Sequence, residues 1–571
     1  MNIKVKVGTG GIITLNDKNY LAAGGQAKIY VNGGKAFKLY HDPVKTMLPI
    51  SKINELGTIA NPQVVIPQDV IYDKSGNPLG YTTKFIDNAE PLLKFFTRTF
   101  KDANNVSPDM INQLVKKMQL IAQDVHLAKC LIVDFNELNV LVNINSMLPW
   151  FIDTDSYATP SHKASAIMDS IRDRRVTKYD TNGKIEYHPD IMSDWYSFAI
   201  LAFWLYSNIH PYRGNHNDYK PKDKAKQMDD GISVFHTGVR VPPNVNNFNI
   251  IPKRHLDWFK DVFLNNNRSV PPLPDSSSPV VVPTQIVIVK SSDKLAIIDI
   301  SAYGSPVMNV IQSMGVNYVV TKASVFADKK QLVSCDTYNK VLLSPASDGT
   351  MIAGMLKGNQ VLFRNASGTA PIGTMQSLNF FQRNKAFYTM SAGKLVENTF
   401  STIGSKVVHK AIDIENVSLL SSKMYDGCVI QDLLGKTYLT IPYKQGSSFC
   451  KHVLELDKYR IVGAKSDKNV TVILGEHGGK YDRIIIVFKK DYQSFDIRIV
   501  HDVTYDTINL AVLENGICML LASSTELELF IAANKYETII DPPIDSSMKL
   551  FAIDNGFFFI NGNSIHQLKK K

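Results

Sequence analysis

Cysteine is scarce in this chain of 571 residues. The five present (Cys130, Cys335, Cys428, Cys450, Cys518) are odd in number and never spaced as C-x-x-C. That argues against a disulfide framework or a structural zinc site and fits reduced thiols in a cytoplasm. Long apolar runs are missing too. The longest nearly unbroken one, Tyr196 to Tyr206, is about half of what a bilayer crossing needs. The opening MNIKVKVGTGG lacks the apolar stretch of a secretory signal. The expectation is a cytoplasmic protein without a membrane partner. Concentrated charge is absent as well. The net charge is +10, but residues 1–284 carry 32 Lys/Arg against 27 Asp/Glu and the remainder 31 against 26. Apart from the terminal Lys569-Lys570-Lys571 there is no basic block, and a nucleic-acid binder usually gathers its charge on one face or arm. Nucleic acid is therefore not the expected partner.

What is present divides in two. The length exceeds what one core usually supports, near 250–300 residues. The segment SVPPLPDSSSPVVVPT, Ser269 to Thr284, has no helical or strand period and reads as a fairly stiff linker. All four tryptophans (Trp150, Trp195, Trp204, Trp258) precede it. Before it lie long amphipathic stretches. From Ser107 to Ala128, Ile111, Leu114, Met118, Ile121 and Val125 recur at steps of three and four, with Ser107 as the N-cap. After it helical periodicity is nearly lost, leaving short β-rich runs broken by Asn, Asp, Gly and Lys.

Those runs repeat. Asn515-Gly516 and Asn555-Gly556 each sit between apolar strands, as type I′ hairpin turns do. Similar turns occur at Asp426-Gly427 and Asp467-Lys468-Asn469, with weaker ones at Asn384-Lys385, Asn339-Lys340 and Asp293-Lys294. The spacings from Lys294 are 46, 45, 42, 41, 48 and 40 residues, which makes seven units over residues 285–571. Units of this size holding about four strands indicate β-propeller blades. One blade cannot bury both faces of its sheet, whereas seven arranged radially can. A β-sandwich or β-solenoid is the alternative. No Trp-Asp or kelch signature recurs, and no repeated Asp/Glu/His set suggests catalysis. The expected role is a rigid platform for a protein substrate or partner.

In the first half, LAAGGQAKIYV (Leu21–Val31) passes through a glycine pair into a strand. After Asn32-Gly33-Gly34 comes a second strand, KAFKLY, carrying Lys38. Such glycines let backbone N–H groups approach phosphate oxygens, and the Lys ammonium supplies a point charge for them. Further on, LIVDFNELNVLVN places Asp134 and Asn139 five residues apart, and PWFIDTDSY puts Asp153 and Asp155 after an apolar strand. Carboxylates and an amide at neighbouring strand ends can hold Mg²⁺ through hard oxygens and leave one carboxylate as a base.

Taken in order, these features resemble the protein-kinase superfamily over about residues 18–270. The resemblance implies an α+β bilobal kinase-like fold over 18–268, after an N-terminal strand segment (1–17) and before an all-β propeller of about seven blades. It implies ATP and Mg as cofactors. Gly24, Gly25, Gln26 and Ala27 would form the nucleotide loop, and Lys38 would lie on the α/β-phosphates. Asp134 would be the base, Asn139 and Asp153 would hold metal, and Asp155 would add a ligand. Glu55, in SKINELGTIA, would pair with Lys38. Ser193–Tyr206, opened by Asp194, resembles the long buried helix after the activation segment. His210–Tyr212 (HPY) follows as in bacterial and phage-type kinase domains, and Arg268 stands where the last helical region usually has an Arg. Departures are equally specific. Only Gly24 of the fingerprint glycines is in register. Val133 replaces the Arg before Asp134, Asn136 replaces a Lys that contacts the transferred phosphate, and Thr154-Asp155 replaces Phe-Gly. The run IRDRRVTKYD (Ile171–Asp180) in the activation segment offers bases for acidic substrates or a solvated loop. Three functional readings follow: a protein kinase of the Ser/Thr kind, a pseudokinase using both domains as docking surfaces, or a small-molecule kinase.

Overall fold

The computed structural model describes residues 2–24, 26–164, 167–179, 185–219, 223–242, 245–273, 294–404, 406–489, 492, 494–553 and 555–571. Strand dominates it, and the chain divides near residue 288 into two compact units. Among the described residues no helix is long and apolar enough to cross a membrane.

The first unit opens with a curled antiparallel sheet of seven strands: β1 (Ile3–Val7), β2 (Ile12–Leu15), β3 (Tyr20–Ala23), β4 (Ala27–Asn32), β5 (Lys35–Tyr40), β6 (Val70–Tyr72) and β7 (Pro78–Lys84). Their spatial order is β2-β1-β6-β7-β5-β4-β3. The N-terminal segment is thus the edge of this sheet, with Lys6 opposite Tyr72. Gly33 and Gly34, at φ 57° and 75°, turn β4 tightly into β5, a conformation only glycine takes without strain. The register sets Lys38 opposite Ile29 on one side and Tyr81 on the other. Two short helices follow β5: α1 (Pro43–Thr46) and α2 (Ile50–Leu56).

Helices α3 (Arg98–Ala103) and α4 (Pro108–Leu127) come after the sheet. The expected cap holds: Ser107 Oγ accepts from Met110 N at 3.2 Å, and Pro108 sits where a missing N–H costs nothing. The face of Ile111, Leu114, Met118, Ile121 and Val125 is buried. The short strands β8 (Glu90–Pro91), before α3, and β9 (Val140–Asn143) and β10 (Leu148–Phe151), after α4, form a second small sheet. Helix α5 (Ile191–Ser207) is buried at every position from Ser193 onward. Its cap is Asp190, not Asp194. Asp190 Oδ1 accepts from Ser193 N at 2.7 Å, and Ser193 Oγ accepts from Asp190 N at 3.0 Å. Asp194 is thereby free for another task. Helices α6 (Lys224–Asp229) and α7 (Lys253–Phe263) complete the unit. The first residues of the expected linker are strapped to it. Pro271 O accepts from Gln119 Nε2 at 2.8 Å, and Pro272 O lies 2.7 Å from His255 Nε2. Residues 274–284 of that linker lie outside the described residues.

Among the described residues the second unit forms seven four-stranded antiparallel sheets, a propeller-like region. Their first strands are Val307–Ser313, Lys340–Pro345, Phe380–Arg383, Ser422–Tyr425, Arg460–Asp467, Leu510–Val512 and Lys549–Ile553. Each touches the next in order, and the last touches the first, so these strands ring a centre. We number the blades one to seven in this order. The ring closes between the two ends of the unit. Leu295–Ala302 is the outer strand of blade seven, with Ile297 opposite Leu568 and Leu295 opposite Lys570. Middle strands are apolar on both faces, as in Val470–Gly475 and Ile484–Phe488, because a blade lies on either side. Side chains of neighbouring blades mesh there, among them Leu439, Phe449, Ile473, Ile484 and Ile486.

The period read from the sequence is that of the blades, but two of its seven anchors are out of phase. Asn384-Lys385, Asp426-Gly427, the turn around Lys468, Asn515-Gly516 and the turn before Gly556 all join the first and second strands of a blade. Lys340 instead begins a first strand, and the turn of that blade lies at Asp348-Gly349. Lys294 precedes the closing outer strand, and the first turn of blade one is Met314-Gly315, at φ 51° and 77°. Asp293 lies outside the described residues. A Met at a left-handed turn position gives no Asn-Gly signal, which is why the sequence concealed this turn.

Candidate active site

Strand β5, the loop before β9 and the end of β10 bring the four central side chains into one neighbourhood. Lys38 Nζ donates to Asp153 Oδ1 at 2.6 Å and to Asp155 Oδ2 at 2.7 Å. Burial by itself would lower the pKa of this lysine; the two carboxylates outweigh it and hold the ammonium above its ordinary value. Asp155 is pushed the other way, upward, by burial and by the charge of Asp153. Tyr40 OH donates to Asp155 Oδ2 at 3.0 Å, and Lys52 Nζ to the Asp155 carbonyl at 2.7 Å. Asp155 Oδ1 is buried without a hydrogen-bond partner.

Asp134 lies in the loop before β9. Its Oδ1 accepts from Met168 N at 2.9 Å, while Asn139 Nδ2 donates to its carbonyl at 3.0 Å and to its Oδ2 at 3.3 Å. Burial raises the Asp134 pKa, and the nearby charge of Asp153 adds to that. Asn136, where a phosphate-contacting Lys was the comparison, is buried and shapes the loop. Its Oδ1 accepts from Leu138 N at 2.8 Å and Asn139 N at 3.1 Å. Beneath the loop sits Asp194, which accepts from Ile132 N at 2.7 Å and Val133 N at 2.8 Å, with His126 Nε2 at 2.9 Å. These bonds hold Val133 at φ 61°, a strained conformation for a β-branched residue. Asp153 is likewise left-handed, at φ 59°.

The expected Lys38–Glu55 pair is not formed. Glu55 does lie on a helix, α2, but its Oε2 accepts from Ser161 N at 3.2 Å and lies 3.3 Å from His162 Nδ1. Hydrogen bonds from Thr159, Ser161 and His162 hold its pKa at about 2. One turn back, the buried Lys52 is the α2 residue that faces the site. Asp155 occupies the role foreseen for Glu55. A seven-residue helix gives too few residues for periodicity to show which face turns inward, so the sequence could not choose between Lys52 and Glu55.

The glycine loop is tight. Gly24 N donates to Ala27 O at 2.9 Å, and Gln26 O accepts from His41 N at 2.8 Å. His41 Nε2 lies 3.0 Å from Gly24 O. Ala27 is buried, Gln26 is exposed, and Gly25 lies outside the described residues. The Gly24 N–H is thus engaged within the loop itself.

The stretch between β10 and α5 is anchored at two points that the motifs brush past. Asp173 accepts from Arg268 through Nε at 2.8 Å and Nη2 at 3.1 Å, with the two side chains 0% and 5% exposed. The guanidinium also lies over the Tyr196 ring at 4.0 Å. His210 of the HPY motif bonds Ser170 O through Nε2 at 2.8 Å and accepts from Tyr212 N at 3.2 Å. That pattern requires a neutral ring, and burial lowers its pKa to about 3. Tyr40, Lys52 and Asp173 were not singled out by the sequence. Tyr40, two residues beyond Lys38 and hence on the same strand face, was the one with a usable signal.

No protein-family model and no curated protein matches the chain. Among the solved structures similar to it is that of the Cydia pomonella granulovirus kinase PK-1, at 12% identity and a TM-score of 0.32; the alignment covers 44% of this chain and 88% of that one.

Proposed function

We propose that the first unit is an ATP- and Mg²⁺-dependent protein kinase acting on Ser or Thr hydroxyls, and that the ring recruits its substrate or partner. One observation carries the reading: Lys38 is joined to Asp153 and Asp155 across more than a hundred residues of chain, and the charge of Asp153 reaches Asp134, which Asn139 orients. In this reading Lys38 binds α/β-phosphate oxygens and Asp134 accepts the proton of the attacking hydroxyl. The raised pKa of Asp134 makes it a better base than an exposed carboxylate.

The donors fit a divalent cation. Asp155 Oδ1 is a buried acceptor lacking a partner, and Asp153 is half-exposed beside it. Among the described residues no three His, Cys, Asp or Glu side chains converge as a metal centre, so the set would be these two carboxylates with the Asn139 amide oxygen. When bound, Mg²⁺ would offset phosphate charge. The chain's own part is to release one carboxylate from Lys38 and to free Asp134 from Met168 N.

Those two contacts also favour a second reading, a pseudokinase that serves as a docking surface, because both leading groups are engaged within the protein. Radiolabelled ATP with Mg²⁺ separates the readings. Transfer to the chain or to a generic Ser/Thr substrate, lost in Asp153→Ala, supports the kinase. Absence of transfer, together with no rise in melting temperature at millimolar ATP and Mg²⁺, supports docking alone.

A further inference from the structure

The first strands of the ring carry a belt of charge around its centre that no catalytic reading uses. Lys549 Nζ, in blade seven, donates to Met308 O of blade one at 2.9 Å. Lys340 Nζ, in blade two, donates to Phe380 O at 2.7 Å and Asn379 Oδ1 at 3.0 Å, both in blade three. Lys465 Nζ, in blade five, donates to Leu510 O of blade six at 2.8 Å. Asp426, after the first strand of blade four, bridges to Lys465 through the backbone and feels the charges of Lys465, Lys549, Lys340 and Arg383. The Arg383 guanidinium is itself tied to Pro442 O and Ser466 O, so three ammonium groups and this spoken-for guanidinium act on one carboxylate.

Two features distinguish this belt from an ordinary latch between blades. Asp426 follows a first strand and Lys549 begins one, and both are exposed to water. Because the first strands ring the centre, these side chains reach solvent with a neighbouring blade on either side. The lysines also retain donors: among the described residues Lys549 and Lys465 each make one hydrogen bond, to a carbonyl, although an ammonium has three N–H groups. Enclosure lowers the Lys549 pKa to about 8, against the pull of Asp426 and with the push of Lys465 and Lys340. Like charges held together in partial desolvation are destabilising until a counter-charge arrives.

We propose that the centre of the ring is an oxyanion site in which Lys340, Lys465 and Lys549 receive a phosphate group, with Asp426 setting its affinity. This deepens the reading of the ring as a binding platform and rests on it, but does not depend on phosphoryl transfer by the first unit. The phosphate is either free or carried on a side chain of a protein partner.

Calorimetric titration of the full chain with inorganic phosphate at pH 7 tests the proposal. Lys549→Gln and Lys340→Gln should each weaken binding about tenfold, Lys549→Arg should retain it, and Asp426→Asn should tighten it several-fold. That opposite sign is the decisive outcome, since a substitution that merely loosened the ring would weaken binding in every case. Wild-type binding should also weaken above pH 8, as Lys549 loses its proton. A phosphoserine peptide binding more tightly than both free phosphate and its unphosphorylated form assigns the group to a protein partner; equal affinity for peptide and free phosphate assigns the site to the free ion. The proposal is overturned if the wild type binds no phosphate, or if both Gln variants bind it as well as the wild type. The platform reading would survive either result, provided that the ring still captured a partner through another face.

Discussion

In the first unit two of the residues that leave the preferred backbone regions stand where the chemistry gathers. Val133 and Asp153, at φ 61° and 59°, flank the Lys38 cluster, and the buried Asp194 carboxylate holds the first of them in place. In the ring, left-handed residues such as Met314, Asn384, Lys385, Ala392 and Leu434 sit in hairpin turns, where the twist of the strands favours them. The first unit places strain at a site that one network enforces; the ring spreads small costs over repeated turns. Charge differs at one place in each unit: Asp173 and Arg268 form a buried ion pair in the first, whereas in the ring Lys340, Lys465 and Lys549 gather near Asp426. A unit built around one site and a unit built by repetition can therefore be told apart by where each tolerates unfavourable local states.

Four measurements would sharpen or break this contrast. The largest expected effect is on activity. Asp134→Asn should lower phosphoryl transfer by roughly 10²–10⁴-fold while both thermal transitions stay in place; a melting shift instead would make Asp134 a structural residue. Next, Arg268→Ala leaves the buried Asp173 with Arg175 as its remaining cation and should destabilise the first unit by about 1–3 kcal/mol, read by denaturant melting with the ring transition unmoved. A common shift of both transitions would show that the units do not unfold independently. Third, Asp155→Asn should lower activity at least tenfold, through loss of Lys38 positioning, while Glu55→Gln changes it less than about twofold; the reverse order would restore Glu55 as the partner of Lys38.

The smallest effect is one of pH. His210 is neutral in the folded unit, with a pKa of about 3, and takes up a proton near pH 6.5 when unfolded. The unfolded chain therefore binds more protons between those values, so the stability this group contributes is present above pH 6.5 and is lost as the pH falls. The slope should be about 1.4 kcal/mol per pH unit below 6 for the first-unit transition, and Phe in place of His210 should flatten it. An equal slope in both would place the acid sensitivity elsewhere.

Much of this was legible in the sequence. Helix α4 and its Ser107 cap follow from residue spacing, because an apolar face at steps of three and four has one way to be buried; helix α5 was reached only through the resemblance, and its cap is Asp190 where Asp194 was expected. The blade period was legible for a related reason: each blade repeats the same turn. The phase of blades one and two was not, since Met314-Gly315 stands where Asn-Gly or Asp-Gly stands elsewhere, and Asn339-Lys340 imitates a turn at the start of a strand and drew attention from Asp348-Gly349. Within the candidate site, Lys38, Asp134, Asn139 and Asp153 were named in order, but their partners were not. Asp155 reaches Lys38 just after a left-handed Asp153, a fact of backbone conformation that spacing does not encode.

By itself the sequence determined which elements form and in what order, because propensity, capping and periodicity act over a few residues. The tertiary structure alone decided which charges meet. Lys38 and Asp155 are 117 residues apart, Arg268 and Asp173 are 95 apart, and the belt lysines come from three different blades. Electrostatic partnership depends on distance in space and on shielding from water, and neither exists until the chain has folded.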